Sequence, residues 1–311
     1  MAESLGRRQF IRTASAACVT TAVGMKGLAA MPLQASTGEH RGKIYKSVKF
    51  GMVGGKLSIQ RKFELLKELG YDGVELSSPA GGNKKQALAA SKAVGLPIHG
   101  VVDSIHWGTR LSDPRPEVRE KGRAGLETAV RDTHLIVGTS VLLVPGKVDN
   151  KEKAKENQEQ VWERSIEQIS KVLPLCSRLG IHILIENVWN GFCYVHGGPD
   201  NQTADKLAEY LDAINSPWVG SYFDIGNHQK YGKPAEWIRS LGHRIVKLDV
   251  KDWGVKAGFS KIGAGDVDWP DVRKALTEIR FTGWATAEVC GGNRARCAEI
   301  LANMRNLLLG A

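Results

Sequence analysis

The strongest constraint on this chain is an alternation that repeats eight times. Short runs of Val, Ile, Leu and aromatic residues lie at 48–53, 73–76, 97–103, 140–144, 182–187, 218–224, 244–250 and 283–289. Each is nearly continuous in apolar residues, the pattern of a parallel strand buried on both faces. Longer amphipathic stretches lie between them. Phe63, Leu66 and Leu69 share one helical face, and 117–137, 161–179, 204–214, 235–241, 272–279 and 298–309 also read as helices. Three end in Leu-Gly (Leu69-Gly70, Leu179-Gly180, Leu241-Gly242), a glycine stop that feeds the next strand. An open doubly wound sheet would share the alternation. It would also place a Gly-rich phosphate fingerprint after the first strand, and none stands there. Eight units predict closure: an α/β fold of the (β/α)8 barrel type, whose usual size is roughly 250 residues.

The N-terminus stands outside that alternation. Gly6-Arg7-Arg8-Gln9-Phe10-Ile11-Arg12 precedes a weakly apolar run, 13–33, rich in Ala, Thr and Gly. Paired arginines, a modest apolar run and small residues near Ala35 have the form of a cleavable twin-arginine export signal. Lys26 interrupts the run, so neither a spanning helix nor a stable membrane anchor is expected. The sequence therefore divides into an export signal at 1–35 and a single catalytic barrel domain at 36–311, with a periplasmic or otherwise exported destination. This division changes the charge argument. With 43 Lys+Arg and 33 Asp+Glu the full chain is formally +10, a balance that invites nucleic acid. Residues 1–35 carry Arg7, Arg8, Arg12 and Lys26 against Glu3, so the remainder is +7. Cys176, Cys193, Cys290 and Cys297 remain, in no zinc-ribbon or CxxC spacing. They are expected to be mostly buried free thiols, because chains exported by this route fold in a reducing compartment.

In a barrel of this kind the chemistry gathers at the C-terminal ends of the strands. Glu75 ends the second strand, and Asp103, His106 and Trp107 follow from the third. Glu186-Asn187 end the fifth, and Asp224 ends the sixth ahead of Ile225-Gly226-Asn227-His228. Asp249 ends the seventh, with Lys251 and Asp252 just beyond, and Glu288 ends the eighth. An acid in an apolar strand is costly to desolvate unless a cation is near. For any one of these residues a salt bridge or a helix cap is the plainer reading. Glu186, Asp224, Asp249 and Glu288 converge on one mouth, however, and four like charges need a counterion. An all-oxygen donor set suits one Mn²⁺ or Mg²⁺ better than Zn²⁺. His99 and His182 are expected to face the layer outside the barrel, and His243, at its bottom, to be structural.

Several short pieces stand in order at the strand ends: Tyr71-Asp72-Gly73-Val74-Glu75-Leu76, Leu142-Leu143-Val144-Pro145-Gly146, Ile185-Glu186-Asn187, Tyr222-Phe223-Asp224-Ile225-Gly226-Asn227, Asp249-Val250-Lys251-Asp252, Gly263-x-Gly265-Asp266-Val267-Asp268-Trp269 and Gly283-Trp284-x-x-x-Glu288. In these the chain resembles the sugar phosphate isomerase/epimerase family, the xylose isomerase-like TIM barrels, from about Val48 to the C-terminus. The resemblance implies that Glu186 and Glu288 ligate a divalent metal and stand on opposite faces of a bound ketose. One removes a proton beside the carbonyl and the other returns it, through an enediolate. It further implies Asp224 as a metal ligand, Lys251 at substrate oxygens with Asp252 in support, and Glu75, His106 and Trp107 lining the sugar pocket. Asn187 and His228 join the expected substrate-binding set. Two positions depart from the family pattern. The seventh-strand motif is usually His-x-Lys-Asp with a ligating histidine, and here its first residue is Asp249; a histidine usually stands three residues after the sixth-strand aspartate, and here that residue is Asn227.

The expected activity is a metal-dependent sugar isomerase or epimerase. Two alternatives use the same barrel: a 3-keto-glycoside lyase, in which the same proton abstraction drives β-elimination, and a non-catalytic sugar-binding protein. Endonuclease IV-type barrels need several strand-end histidines for three zinc ions, and Asn227 and Asp249 occupy two of those places, so nucleic acid is not an expected partner. The expected partner is a small carbohydrate. Trp107, Trp189 and Trp253 follow the third, fifth and seventh strands and are candidate stacking surfaces for it. The segment 190–201, with Gly197-Gly198-Pro199, is a candidate lid or a contact in a homo-oligomer.

Overall fold

The computed structural model describes residues 40, 42–148 and 156–310. The export signal read at 1–35 lies outside them. Eight parallel strands close into a barrel: β1 (Ile44–Lys49), β2 (Gly73–Ser78), β3 (Ile98–Asp103), β4 (Ser140–Leu143), β5 (His182–Glu186), β6 (Val219–Asp224), β7 (Ile245–Val250) and β10 (Gly283–Ala287), with β10 pairing back onto β1. A small antiparallel hairpin, β8 (Asp252–Gly254) and β9 (Gly258–Ser260), stands between β7 and the following helix. Among the described residues eight α-helices flank the strands: α1 (Ile59–Leu69), α2 (Lys84–Val94), α3 (Pro116–Leu135), α4 (Gln158–Leu179), α5 (Asp205–Ile214), α6 (Pro234–Leu241), α7 (Trp269–Glu278) and α8 (Arg294–Asn303). None is long and apolar enough to cross a membrane.

The local chemistry explains the boundaries. The side chains of Ser58, Asn83, Asn157, Asp268 and Asn293 each accept a hydrogen bond from a first-turn amide of the helix they open. Gly70 and Gly180 end α1 and α4 in the left-handed conformation, as the Leu-Gly pattern predicts. Two elements differ from the sequence reading. The first strand lies at Ile44–Lys49, not 48–53, because the chain turns after Lys49 and Gly54 N donates to Gly292 O at 2.8 Å. Helix α2 was not evident, since KKQALAASKAV offers alanine where larger apolar residues would mark a face.

The core lies mainly between barrel and helices. Val48, Val74, Val101, Val141, Ile183, Phe223, Leu248 and Ala285 are fully buried there with Phe63, Leu66, Leu126, Val172 and Leu276. Inside the barrel, apolar packing is confined to Leu142, Leu184 and Tyr222, with Val102 and Val246 against them. The rest of the interior is polar. His99 Nε2 lies 2.7 Å from Ser47 Oγ, and Lys247 Nζ lies 3.0 Å from His99 Nδ1 and donates to His99 O at 2.7 Å. Tyr222 OH donates to Glu75 Oε1 at 3.0 Å and pairs with Thr286 Oγ1 at 2.8 Å.

His99 thus faces into the barrel, not the outer layer. Its register explains the reversal: Val74 pairs with Ile98 and Glu75 with Gly100, so His99 is the extra residue of a β-bulge. A bulge re-aims a side chain that strict alternation would turn outward. The neighbouring Gly100 is held close to β4; a Cβ there would lie 2.6 Å from Ser140 O and 3.2 Å from Lys247 Nζ. Gly100→Ala is therefore expected to destabilise the barrel by about 1–3 kcal/mol through overpacking, measured by urea unfolding; an unchanged midpoint would show that the strand pair can spread to accept a methyl group.

Candidate metal centre at the barrel mouth

Glu186, Asp224, Asp249 and Glu288 come together as the sequence predicts. Each offers a carboxylate oxygen, and these oxygens lie within 4.8 Å of one another. They arrive from the ends of β5, β6, β7 and β10, and Asp224 stands beside Asp249 in the strand register. Two lysines share the site. Lys49 Nζ, from the end of β1, lies 2.8 Å from Asp249 Oδ2, 3.1 Å from Glu288 Oε1 and 3.9 Å from Glu75 Oε2. Lys251 Nζ lies 2.7 Å from Glu288 Oε2, 3.2 Å from Asp224 Oδ2 and 3.1 Å from Asn227 Oδ1. Part of the counter-charge is therefore built into the chain.

Burial and charge pull the two glutamates apart. Burial, then the charge of Glu288, pushes Glu186 up to about 8. Burial also acts upward on Glu288, but Lys49 and Lys251 outweigh it and bring that carboxyl down to about 2. Asp224 is raised to about 6 by burial, and Asp249 is raised for the same reason despite Lys49. Divergent environments on a facing carboxyl pair are the condition under which one serves as acid and the other as base.

The remaining predicted residues divide. Lys251 is at the cluster. Glu75 is 1% exposed and sits inside the barrel on Tyr222, beneath the cluster and not on an open pocket wall. His106 is buried, accepts a hydrogen bond from Val144 N at Nδ1 (3.2 Å), and is driven down to about 3 by burial and by Lys49. Trp107, edge-on to His106 at 5.6 Å, is 48% exposed at the rim. Asn187 faces β6 instead of the mouth: its Oδ1 accepts from Asp224 N at 2.7 Å and its Nδ2 donates to Asp224 O at 2.9 Å. His228 also points elsewhere, stacked on Trp237 at 4.4 Å with Nδ1 3.1 Å from Asn187 Nδ2. Asp224 Oδ1 accepts from both Gly226 N and Asn227 N, and this turn brings Asn227 to the cluster, where its Nδ2 lies 3.3 Å from Glu186 Oε1. Asp252 holds the following loop, accepting from Gly263 N, Val267 N and Trp269 Nε1.

Sequence reasoning missed Lys49, Asn227 and Phe259. The signal for Lys49 was its place at a strand end, which becomes visible only once that strand is set at Ile44–Lys49. Phe259, in the middle of β9 opposite Trp253, packs on Trp189 at 4.8 Å and lies under Lys251 Nζ at 5.2 Å. Trp253 joins this wall, 6.3 Å from Trp189. A cavity of about 540 Å³ opens beside it, lined by Lys251, Phe259, Lys261, Glu288, Cys290 and Arg296 among others. Cys290 is exposed there, while Cys176 and Cys297 are buried free thiols and Cys193 is half-buried. The segment 190–201 is pinned to the body, with Asn190 Nδ2 donating to Gly146 O at 2.9 Å and Val148 N donating to Asn190 O at 2.8 Å.

The donor set fits a hard divalent cation. All four groups supply oxygen, and Asp249 Oδ1 is buried with no hydrogen-bond partner, an uncommon and costly condition for a carboxylate. Comparison with known proteins agrees with the fold. The profile described as the xylose isomerase-like TIM barrel matches residues 63–307, and the chain belongs to that family. L-ribulose-5-phosphate 3-epimerase of Salmonella heidelberg is 25% identical over 239 residues, covering 72% of this chain and 79% of its own. An uncharacterized protein of Methanocaldococcus jannaschii is 28% identical over 133 residues, covering 42% of this chain and less than half (44%) of its own length. Among solved structures, 3-keto-D-glucoside 4-epimerase from E. coli superposes with a TM-score of 0.66 at 14% identity, over 84% of this chain and 99% of that one. The IolI protein, solved with a bound zinc atom, gives 0.68 at 14% identity, over 85% and 98%.

Asp103, at the end of β3, generates a pH prediction. Burial raises it to about 7, opposed by the Ile105 amide. The unfolded chain therefore loses this proton first, and the barrel loses stability as pH rises from about 4 to about 7. Asp103→Asn is expected to match the native chain near pH 4 and to exceed its stability at pH 8 by about 2–4 kcal/mol. Denaturant unfolding at the two pH values checks this, and equal stability at pH 8 would show that Asp103 ionises freely.

Proposed function

We propose that this protein is a divalent-metal-dependent sugar isomerase or epimerase that moves a proton on a carbon beside a carbonyl. The observation that carries the proposal is the convergence of Glu186 and Glu288 on one mouth with Asp224 and Asp249 between them. These four residues would hold Mn²⁺ or Mg²⁺, which when bound supplies a Lewis acid for the carbonyl and neighbouring hydroxyl oxygens of the substrate. Glu186 and Glu288 handle the proton: one removes it from one face of the sugar and the other returns it to the opposite face. Lys251, fixed by Glu288, Asp224 and Asn227, donates to substrate oxygens. Trp189, Trp253 and Phe259 give the sugar an apolar wall. The resemblance to an L-ribulose-5-phosphate 3-epimerase over most of both chains supports the class of reaction.

A second reading is a lyase acting on a 3-keto-glycoside. The cavity of about 540 Å³ beside Glu288 favours it, because that room is in the range that takes a ligand larger than one sugar ring. The same proton abstraction would then expel the aglycone.

Incubation with Mn²⁺ and a panel of free ketoses and 3-keto-glycosides, followed by NMR, separates the two. An inverted carbon centre marks the epimerase, and a released aglycone marks the lyase. In deuterated solvent, Glu186→Gln and Glu288→Gln are each expected to reduce deuterium incorporation beside the carbonyl by roughly 10²–10⁴-fold, with the fold retained by circular dichroism. Undiminished incorporation in both variants would remove the two glutamates from the proton path.

A further inference from the structure

The two oxygens of Asp249 have different surroundings. Oδ2 lies 2.8 Å from Lys49 Nζ, whereas Oδ1 is buried and has no hydrogen-bond partner, and the residue supplies one of the four converging carboxylate oxygens. Lys49 reaches this place from the opposite end of the sequence, and its side chain is only 15% exposed. It also contacts Glu288 Oε1 at 3.1 Å.

Charge counting gives the arrangement a purpose. Glu186, Asp224, Asp249 and Glu288 carry four negative charges when ionised, and Lys49 and Lys251 carry two positive ones. The difference matches one divalent cation. Deeper in the barrel, Glu75 and Lys247 are both buried and attract each other electrostatically. Without Lys49 the same set would be over-negative in a region where water cannot screen it. With Lys49, Asp249 can offer one oxygen to a cation while adding no net charge. A neutral imidazole is the commonest way to supply an uncharged ligand.

We propose that Lys49 and Asp249 together act as one electrically neutral metal ligand, with Lys49 as the positioning residue that holds Oδ2 and leaves Oδ1 for the ion. This inference rests on the metal-dependent reading above. It makes Lys49 and Asp249 interdependent, so changing either alone upsets the charge balance and changing both to a neutral pair with a ligating imidazole restores it.

The test is Mn²⁺ binding to the full chain, followed by electron paramagnetic resonance of the free ion without any substrate. Lys49→Met and Asp249→His are each expected to weaken Mn²⁺ binding by roughly tenfold or more, the usual effect of losing a group that holds a ligand. The double variant Lys49→Met/Asp249→His is expected to return to within roughly threefold of the native affinity, a non-additive result that a merely structural lysine would not give. Lys49→Arg, which keeps the charge, is expected to stay near native. If the double variant binds no better than the weaker single variant, the composite ligand is overturned while the metal-dependent reading stands. If the native chain itself binds no Mn²⁺, the metal-dependent reading fails and this inference falls with it. Should Lys49→Met not fold, the comparison of Asp249→His with the double variant decides the matter alone.

Discussion

The structure depends on charge held in the middle of a barrel. Most of the interior that a barrel of this type fills with branched apolar side chains is here occupied by Glu75, His99, Lys247, Tyr222 and Thr286, with Lys49 and the carboxylate cluster above them. Burying this many ionisable groups is unfavourable unless each finds a partner. The chain meets the cost with pairs that cross the barrel from distant positions in the sequence, such as Lys49 with Asp249 and Tyr222 with Glu75. Stability is left to the outer layer, where β-strand valines and isoleucines meet the helices. The division is a familiar one: local rules are broken where the chemistry is, and the remainder of the core compensates.

That division decided how much could be read from sequence. The outer layer was legible because parallel strands buried on both faces leave uninterrupted apolar runs, and glycine stops mark where helices α1, α4 and α6 end. The four carboxylates were legible for the opposite reason, as acids at the ends of apolar strands. Lys49 was not, because a lysine near the start of a domain is unremarkable until its partner 200 residues away is known. His99 was misplaced because a bulge is a matter of pairing register, and a single strand carries no record of its partner's spacing. The exchange of roles between Asn227 and His228 has a similar origin. The turn closed on Asp224 Oδ1 fixes which of the two adjacent side chains enters the mouth, and composition cannot distinguish them.

The loops around the mouth follow one scheme. An acidic side chain at or just beyond a strand end binds the backbone amides of the next segment: Asp224 takes Gly226 and Asn227, and Asp252 takes Gly263 and Val267. Asp252 requires glycine nearby, since a Cβ on Gly265 would lie 2.1 Å from its Oδ1. Asp266 continues the scheme by accepting from Val255 N in the hairpin that carries Phe259. The hairpin that carries Trp253 and Phe259 is thus anchored in the same short stretch after β7 that carries Lys251 to the cluster.

Asn187 extends the sheet past the end of β5. By receiving the amide of Asp224 and giving a hydrogen bond to its carbonyl, this side chain imitates one more rung of the sheet where the backbone of β5 has already departed. Two carboxylates on adjacent strands, Glu186 and Asp224, are thereby tied through the ladder itself, and the turn after Asp224 adds a second tie through Asn227 Nδ2 to Glu186 Oε1. A change of length farther out in the loops above them would leave both ties in place.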